Sequence, residues 1–163
     1  MDIQMRDVSL SDMGQVLSWR NSEAGIKYSK YNASISNSEH KDWFESRLLR
    51  IAHEPYLVFS IEDQDIGSVR FDLDPSNFRS FLTSIILNPD FIGRGYGSRI
   101  LSLAINYIID NHPEMELTAE IHDQNIASIK IFLNNHFTLM DKVELFGVYR
   151  FITRDLITNS KRM

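Results

Sequence analysis

Cysteine is absent from the 163-residue sequence, and that absence excludes several kinds of site at once. Disulfides, thiol nucleophiles, thiolate–zinc sites and iron–sulfur clusters all require cysteine. The five histidines do not compensate, because no two of them stand in the H-x-x-x-H spacing of a zinc-binding helix. We therefore predict no metal site. A chain without cysteine also suits a reducing compartment, and we expect a cytoplasmic location.

Long apolar runs and an excess of positive charge are lacking as well. No run approaches the ~20 apolar residues of a membrane span, and residues 1–4 do not begin a secretory signal peptide. Seventeen Lys and Arg residues against twenty-two Asp and Glu residues leave a net charge of −5. We therefore expect neither nucleic acid nor a membrane as a partner. Any phosphate-bearing ligand must then be held by a local group of atoms.

The hydrophobic pattern predicts one α+β (mixed α/β) domain over residues 1–157, with residues 158–163 as a frayed C-terminal tail. Short apolar stretches separated by turn residues predict the strands, and helical spacing with capping signals predicts the helices. The predicted strands span residues 3–8, 56–61, 66–73, 81–87, 115–121, 137–143 and 148–153. The predicted helices span residues 13–20, 37–51, 100–108 and 125–134. Residues 21–37 are predicted as a long loop.

The most informative segment is a glycine-rich turn, Gly93-Arg94-Gly95-Tyr96-Gly97, between a predicted strand and a strongly amphipathic helix. Glycine lets a ligand approach the backbone closely, and the first N–H groups of a helix have no partner within it. Together they predict an anion pocket that suits a pyrophosphate, with Arg94 adding charge. A turn that merely connects two elements is the alternative. The segment is neither a Walker loop nor the Rossmann pattern, which requires a small residue where Ile100 stands.

This turn and a second segment resemble the acetyl-CoA-binding motifs of the GNAT N-acetyltransferases. Gly95 and Gly97 match the last two positions of the Arg/Gln-x-x-Gly-x-Gly/Ala motif, whereas Ile92 departs from its first position. The segment from Asn125 to Phe137 resembles the Asn-x-x-Ser helix of that family. The resemblance implies a central twisted, mostly antiparallel sheet flanked by helices on both faces, with acetyl-CoA as co-substrate.

The resemblance also implies which residues bind acetyl-CoA. The strand backbone around Ile85 to Leu87 would hold the pantetheine amide and polarise the thioester carbonyl. The implied cofactor-binding residues are Ile85, Ile86, Leu87, Ile92, Gly93, Arg94, Gly95, Tyr96, Gly97, Ser98, Asn125 and Ser128.

One departure from the family pattern concerns the leaving thiolate. Phe132 stands where many members have a tyrosine that protonates it. Tyr28, Tyr96 and Tyr149 remain open as replacements, as does a thiolate that leaves without help.

The N-terminal third resembles the branch of the family that acetylates nucleotide sugars. The resemblance is carried by Trp19-Arg20-Asn21, Tyr31-Asn32, Ile35-Ser36 and the segment from Glu39 to Phe44. It implies as acceptor the 4-amino group of a UDP-linked 4-amino-4,6-dideoxy sugar, bound by Arg20, Asn21 and Tyr31.

Other functions stay open at this point. The Trp-Arg-Asn sequence also occurs in enzymes that acetylate protein N-termini, so a protein or small-amine acceptor is the first alternative. A non-catalytic CoA-binding module is the second. The sequence does not decide whether the last strands pair with a second subunit to give a homodimer.

The reaction implied is direct attack of an amine on the thioester, without a covalent enzyme intermediate. The amine must lose a proton, so a general base or a water chain is needed. We consider Glu39, His40 and His122 as base candidates.

Overall fold

Seven strands and five α-helices make up residues 2–152, the part of the chain that the computed structural model describes. The strands are β1 (Gln4–Asp7), β2 (Tyr56–Ile61), β3 (Gln64–Asp74), β4 (Asn77–Leu87), β5 (Glu116–His122), β6 (Phe137–Val143) and β7 (Phe146–Phe151). The helices are α1 (Met13–Arg20), α2 (Glu23–Lys27), α3 (Asn37–Leu48), α4 (Tyr96–Asn111) and α5 (Ile126–Asn134). The predicted tail, residues 158–163, and Thr153 lie outside the described residues.

The strands form one sheet in the order β1-β2-β3-β4-β5-β7-β6. Every neighbouring pair is antiparallel except β4 and β5, which run parallel. Parallel neighbours need a crossover connection, and α4 supplies it. The predicted mostly antiparallel sheet is confirmed.

Alternating side chains of the sheet build two separate cores. On β2, Leu57 and Phe59 belong to the larger core, which also takes in buried residues of α4 and α5. Tyr56 and Val58 belong to the smaller core on the opposite face, with residues of α1 and α3. The period of two along a strand causes this division. The helices therefore cover both faces, as predicted.

The structure adds one helix and moves several of the predicted boundaries. The predicted loop 21–37 contains the short helix α2, because the Ser22 hydroxyl accepts a hydrogen bond from the Gly25 N–H and starts a helical turn. The helix predicted to reach Ile51 ends at Leu48, and a series of turns follows. Strand β4 begins at Asn77 rather than at residue 81. Its first residues are exposed, so they carry no alternation that a sequence pattern could detect.

Within residues 2–152, no helix combines the length and apolar character needed to cross a membrane.

Candidate active site

A gap opens in the middle of the sheet, where the two parallel strands stop pairing. Strands β4 and β5 pair through only three positions, the last of which joins Leu82 to Thr118. Residues 83–87 of β4 and 119–122 of β5 continue without pairing to each other. At the start of the gap, the Thr83 hydroxyl is buried and has no hydrogen-bond partner. An unpaired strand edge and an orphaned hydroxyl can both receive hydrogen bonds from an inserted amide chain.

The glycine turn leads from the end of β4 into α4, directly beside this gap. The Asn88 side chain accepts a hydrogen bond from the Asp90 N–H and begins the turn. Gly93 and Gly95 both have φ of +80°, a conformation that residues with a β-carbon rarely adopt. A β-carbon placed on Gly95 would meet no heavy atom within 4 Å. Gly95 is exposed and is also the N-cap of α4, so the first N–H groups of the helix, which have no partner within it, follow directly on this open position.

Two arginines flank this helix start. Arg94 lies over the Phe91 ring, with 5.4 Å between its guanidinium carbon and the ring centre. Arg99 lies 5.8 Å from the centre of the Tyr96 ring. Ile92, where the family motif has Arg or Gln, is half exposed and has no charge to offer. The local positive charge therefore comes from the two arginines and the helix dipole.

Gly97 has a different role from Gly95. It is buried in the first turn of α4, and a β-carbon there would collide with the Ile131 side chain of α5. Gly97 thus allows α4 and α5 to approach each other closely. The second motif glycine therefore determines how closely α4 packs against α5.

The variant Gly97→Ala should therefore destabilise the fold. Ile131 must move to admit the methyl group, and overpacking of this kind costs about 1–3 kcal/mol. Urea unfolding measures the loss. A variant as stable as the wild type would show that the helix contact is looser than the geometry indicates.

Asn125 and Ser128 begin helix α5. The Asn125 side-chain oxygen accepts a hydrogen bond from the Ser128 N–H, at 3.2 Å. Asn125 is thus the N-cap, and its NH₂ group can still donate a hydrogen bond to a ligand. At the other end of α5, His136 takes a positive φ of 67°, at the position where the family pattern has glycine.

Phe132 is buried between α5 and the sheet. It packs edge-on against Phe137, with ring centres 4.9 Å apart, and has no proton to donate. Tyr149 is buried on β7, one strand beyond the gap, and burial followed by the charge of Asp123 raises its pKa. Tyr28 lies near His122, on the face of the sheet opposite α4 and α5, and the Tyr96 ring meets the Phe91 ring edge-on. No tyrosine replaces the missing one at the same place on α5.

The three predicted base candidates lie in different surroundings. Glu39 is exposed at the start of α3, where its carboxylate accepts a hydrogen bond from the Ser36 N–H. His40 is buried against the rings of Trp43 and Phe44, and its Nε2 lies 3.0 Å from the Met13 carbonyl. His122 ends β5 beside the gap. The candidates do not form one cluster.

The buried His40 should make stability depend on pH. Burial lowers its pKa, and the positive charge of Arg70 lowers it further, against the opposing effect of the Met13 carbonyl. The unfolded chain therefore binds a proton near pH 6.5 where the folded chain does not, so stability falls as pH drops below about 6.5. The variant His40→Gln should reduce this loss. Urea midpoints at pH 7.5 and 5.5 test it, and identical pH dependence in both proteins would contradict it.

The predicted acceptor residues are spread along one loop region. Asn21 donates to the Ile35 carbonyl and accepts from the Ile35 N–H, both at 2.8 Å, so its amide holds the loop together. Tyr31 is 87% exposed. Arg20 donates to the Gly25 carbonyl and is half buried. Of the three, only Arg20 combines partial burial with a charged group.

A residue that sequence reasoning missed, Arg70 of β3, lies near Arg20. Burial, and then the positive charge of Arg70, lower the pKa of Arg20, which stays charged at neutral pH. The Arg70 guanidinium lies 4.8 Å from the centre of the Trp43 ring and donates to Asp72. The sequence signal that could have identified Arg70 is the alternation of polar and apolar residues along β3, from Ser68 to Asp74, which places Arg70 on the polar side of the strand.

A second missed residue is Glu120 of β5, which forms an ion pair with Lys30. It lies on the same face of the strand as Thr118 and His122, since Leu117, Ala119 and Ile121 point into the larger core. No group of three or more potential metal ligands occurs among residues 2–152.

A parallel strand pair that opens beside a glycine turn and a helix start is the architecture of an acyl-CoA-dependent transferase. The model of the Acetyltransferase (GNAT) domain matches residues 2–138, and the chain belongs to this family. It is an acetyl-CoA-dependent N-acetyltransferase of the GNAT type. A search among curated protein sequences found no match.

Solved structures with the same fold have little sequence in common with the chain. An aminoglycoside acetyltransferase in complex with coenzyme A and kanamycin has a TM-score of 0.79 at 13% identity, covering 98% of this chain and 99% of its own. A spermidine N-acetyltransferase from Vibrio cholerae, in complex with CoA and spermine, has a TM-score of 0.74 at 16% identity. The alignment covers 91% of this chain and 92% of the other. RimL, a ribosomal alpha-N-protein acetyltransferase in complex with CoA, has a TM-score of 0.74 at 15% identity. The alignment covers 92% of this chain and 93% of the other.

Proposed function

We propose that the protein transfers the acetyl group of acetyl-CoA to the 4-amino group of a UDP-linked 4-amino-4,6-dideoxy sugar. The observation that carries this proposal is a surplus of positive charge on the sheet face opposite α4 and α5. Arg20, Arg47 and Arg70 lie there, and Asp72 is the only carboxylate within salt-bridge distance of them among residues 2–152. A partly buried surplus of this kind favours an anionic ligand.

The chemistry of a diphosphate matches this surplus. Asp72 forms ion pairs with two guanidinium groups, that of the fully buried Arg47 and that of the partly buried Arg70. One carboxylate therefore balances two positive charges. Arg20 has no carboxylate partner within this part of the chain. Guanidinium groups bind phosphate oxygens through paired N–H donors, and a diphosphate brings the negative charge that the cluster lacks.

An aromatic surface next to the arginines suits the base of a nucleotide. Trp43 is 38% exposed, although the neighbouring Phe44 is fully buried. The Arg70 guanidinium lies over the Trp43 ring. A flat heterocycle such as uracil gains stacking energy from an exposed indole.

Acetyl-CoA would enter from the face that α4 and α5 cover. The N–H groups of Gly95, Tyr96, Gly97 and Ser98 would hold its pyrophosphate, and Arg94 would add a charged contact. The unpaired edge of β4 at residues 85–87 would bind the pantetheine amide, and the Asn125 amide would bind it from α5.

A small-amine or protein N-terminal acceptor is the second candidate. It is favoured by the solved neighbours, among which one contains kanamycin, one contains spermine and one is a protein acetyltransferase. Polyamines and aminoglycosides are polycations, however, and the arginine cluster would repel them. Charge therefore separates the nucleotide sugar from polycationic amines, and turnover of a peptide N-terminus separates it from a protein acceptor.

An acceptor screen tests the proposal by following thiol release from acetyl-CoA. We expect turnover with a UDP-4-amino sugar, and at least 100-fold lower kcat/KM with spermine, kanamycin or a peptide N-terminus. Turnover with polycations alone would overturn the nucleotide-sugar proposal in favour of the second candidate. Binding of acetyl-CoA without turnover on any of these amines would favour a non-catalytic module.

A further inference from the structure

The register of the sheet brings one carboxylate to the gap between β4 and β5. The last pair joins Leu82 to Thr118, so two residues further on Ser84 stands level with Glu120. Ser84 also pairs with Arg70 on the other side of β4, which puts these three side chains on one face of the sheet. The walls of the gap on this face thus carry Ser84 and Ile86 from β4, and Glu120 and His122 from β5. Glu120 is the only carboxylate of the four.

His122 is the other titratable residue of this wall, and the lone pair of its Nδ1 already accepts a hydrogen bond. Its Nδ1 accepts a hydrogen bond of 3.1 Å from the Gln124 N–H. An Nδ1 that accepts carries no proton, so the proton of the neutral imidazole is on Nε2. Neither nitrogen is then free to accept a proton from an amine.

The other base candidates are less suitable. The His40 Nε2 lies against the Met13 carbonyl oxygen, which can only accept, so the imidazole proton is on Nε2. The rest of the ring, including Nδ1, is buried against Trp43 and Phe44. The carboxylate of Glu39 is engaged at the start of α3. Glu120, by contrast, has a partly exposed carboxylate at the gap itself.

The segment after α2 covers this end of β5. Lys30 forms an ion pair with Glu120, and the Tyr28 ring lies 5.7 Å from the His122 ring. Lys30 is more than half exposed and belongs to a stretch with no regular secondary structure. Without acceptor, Glu120 therefore holds a primary ammonium group, the same chemical group that an amine acceptor presents.

We propose that Glu120 is the group that binds the acceptor's amine and takes its proton during acetyl transfer. This inference rests on the proposed function only in that an amine must be acetylated. The bound ammonium group first gives one proton to Glu120, which passes it to water. The neutral amine nitrogen then attacks the thioester carbonyl, and the new C–N bond makes that nitrogen positive and acidic. Glu120 takes one N–H proton, the C–S bond breaks, and the sulfur leaves with the bonding electron pair. The proton on Glu120 then passes to water.

The charged and titratable groups that face Glu120 are compatible with this role. Lys30 comes from the segment after α2, His122 from β5 itself, and Arg150 from the neighbouring strand β7, where it pairs with Thr118. Arg150 is held by Glu116 at the start of β5. Only Lys30 contacts Glu120 as an ion pair, and an incoming ammonium group can displace it.

The variant Glu120→Gln tests the assignment. General-base catalysis contributes about 100-fold or more, so we expect kcat to fall by at least that factor while acetyl-CoA affinity, measured by calorimetry, stays unchanged. Glu120→Asp should recover part of the rate. Lys30→Met should lower the acceptor KM without lowering kcat, because it removes the competing ammonium group. The matched control is Glu116→Gln, the same change on the same face and strand, which should keep kcat within threefold.

Two results would overturn the inference. One is a Glu120→Gln enzyme that keeps wild-type kcat, and the other is a loss of kcat in Glu116→Gln equal to that in Glu120→Gln. Either leaves the proposed function intact, because both presuppose turnover by the wild type. Failure of the proposed function is seen separately, as absence of wild-type turnover on a UDP-4-amino sugar.

Discussion

Gly95→Asp should abolish acetyl-CoA binding while the protein remains folded. The substitution places a carboxylate at the N-cap of α4, in the open space where we propose the pyrophosphate binds. Two like charges about 4 Å apart near a protein surface repel by about 4 kcal/mol, which corresponds to roughly 1,000-fold in affinity. Isothermal titration with acetyl-CoA measures the loss, and the urea midpoint shows that the fold is intact.

Two control variants separate charge from strain. Gly95→Ala introduces the same positive-φ strain without charge, and it should weaken binding far less than Gly95→Asp. Gly14→Asp introduces the same charge at an exposed position of α1, where a β-carbon also meets nothing within 4 Å, and it should leave binding unchanged. Equal losses in Gly95→Ala and Gly95→Asp would mean that loop geometry, and not an anion site, explains the result.

Arg70→Gln should raise the KM for the acceptor by about 10-fold to 100-fold, since a hydrogen bond to a charged group contributes about 1.5–3 kcal/mol. The affinity for acetyl-CoA should not change, because Arg70 points to the opposite face of the sheet. Asp72 keeps its bond to the buried Arg47, at 2.8 Å, so the fold should tolerate the change. Steady-state kinetics with each substrate in turn make the measurement.

The controls for Arg70 test geometry and position. Arg70→Lys keeps the charge but loses the paired donors, and its KM should lie between those of the wild type and Arg70→Gln. Arg79→Gln removes an exposed arginine near the start of β4 and should leave KM unchanged. A KM that stays at the wild-type value in Arg70→Gln would remove the main support for an anionic acceptor.

Local sequence was sufficient for most of the elements. The apolar run from Tyr56 to Phe59 reflects burial of β2 on both faces, and the helical stripe after Gly97 reflects burial of α4 on one side. Sequence records both patterns directly. The capping box at Ser36 marked the start of α3 correctly. Helix α2 was missed because five residues are too short for a period, and only the Ser22 cap indicates it.

The sequence by itself determined the glycine turn, the helix that follows it, the family and so the class of reaction, because each depends on residues adjacent in the chain. Only the tertiary structure decided which side chains meet at the gap. Arg20 and Arg70 are fifty positions apart, and Lys30 and Glu120 are ninety apart. Strand register brings such pairs together, and register is set by the packing of the whole sheet. Acceptor recognition and proton transfer therefore depend on residues that no local motif marks.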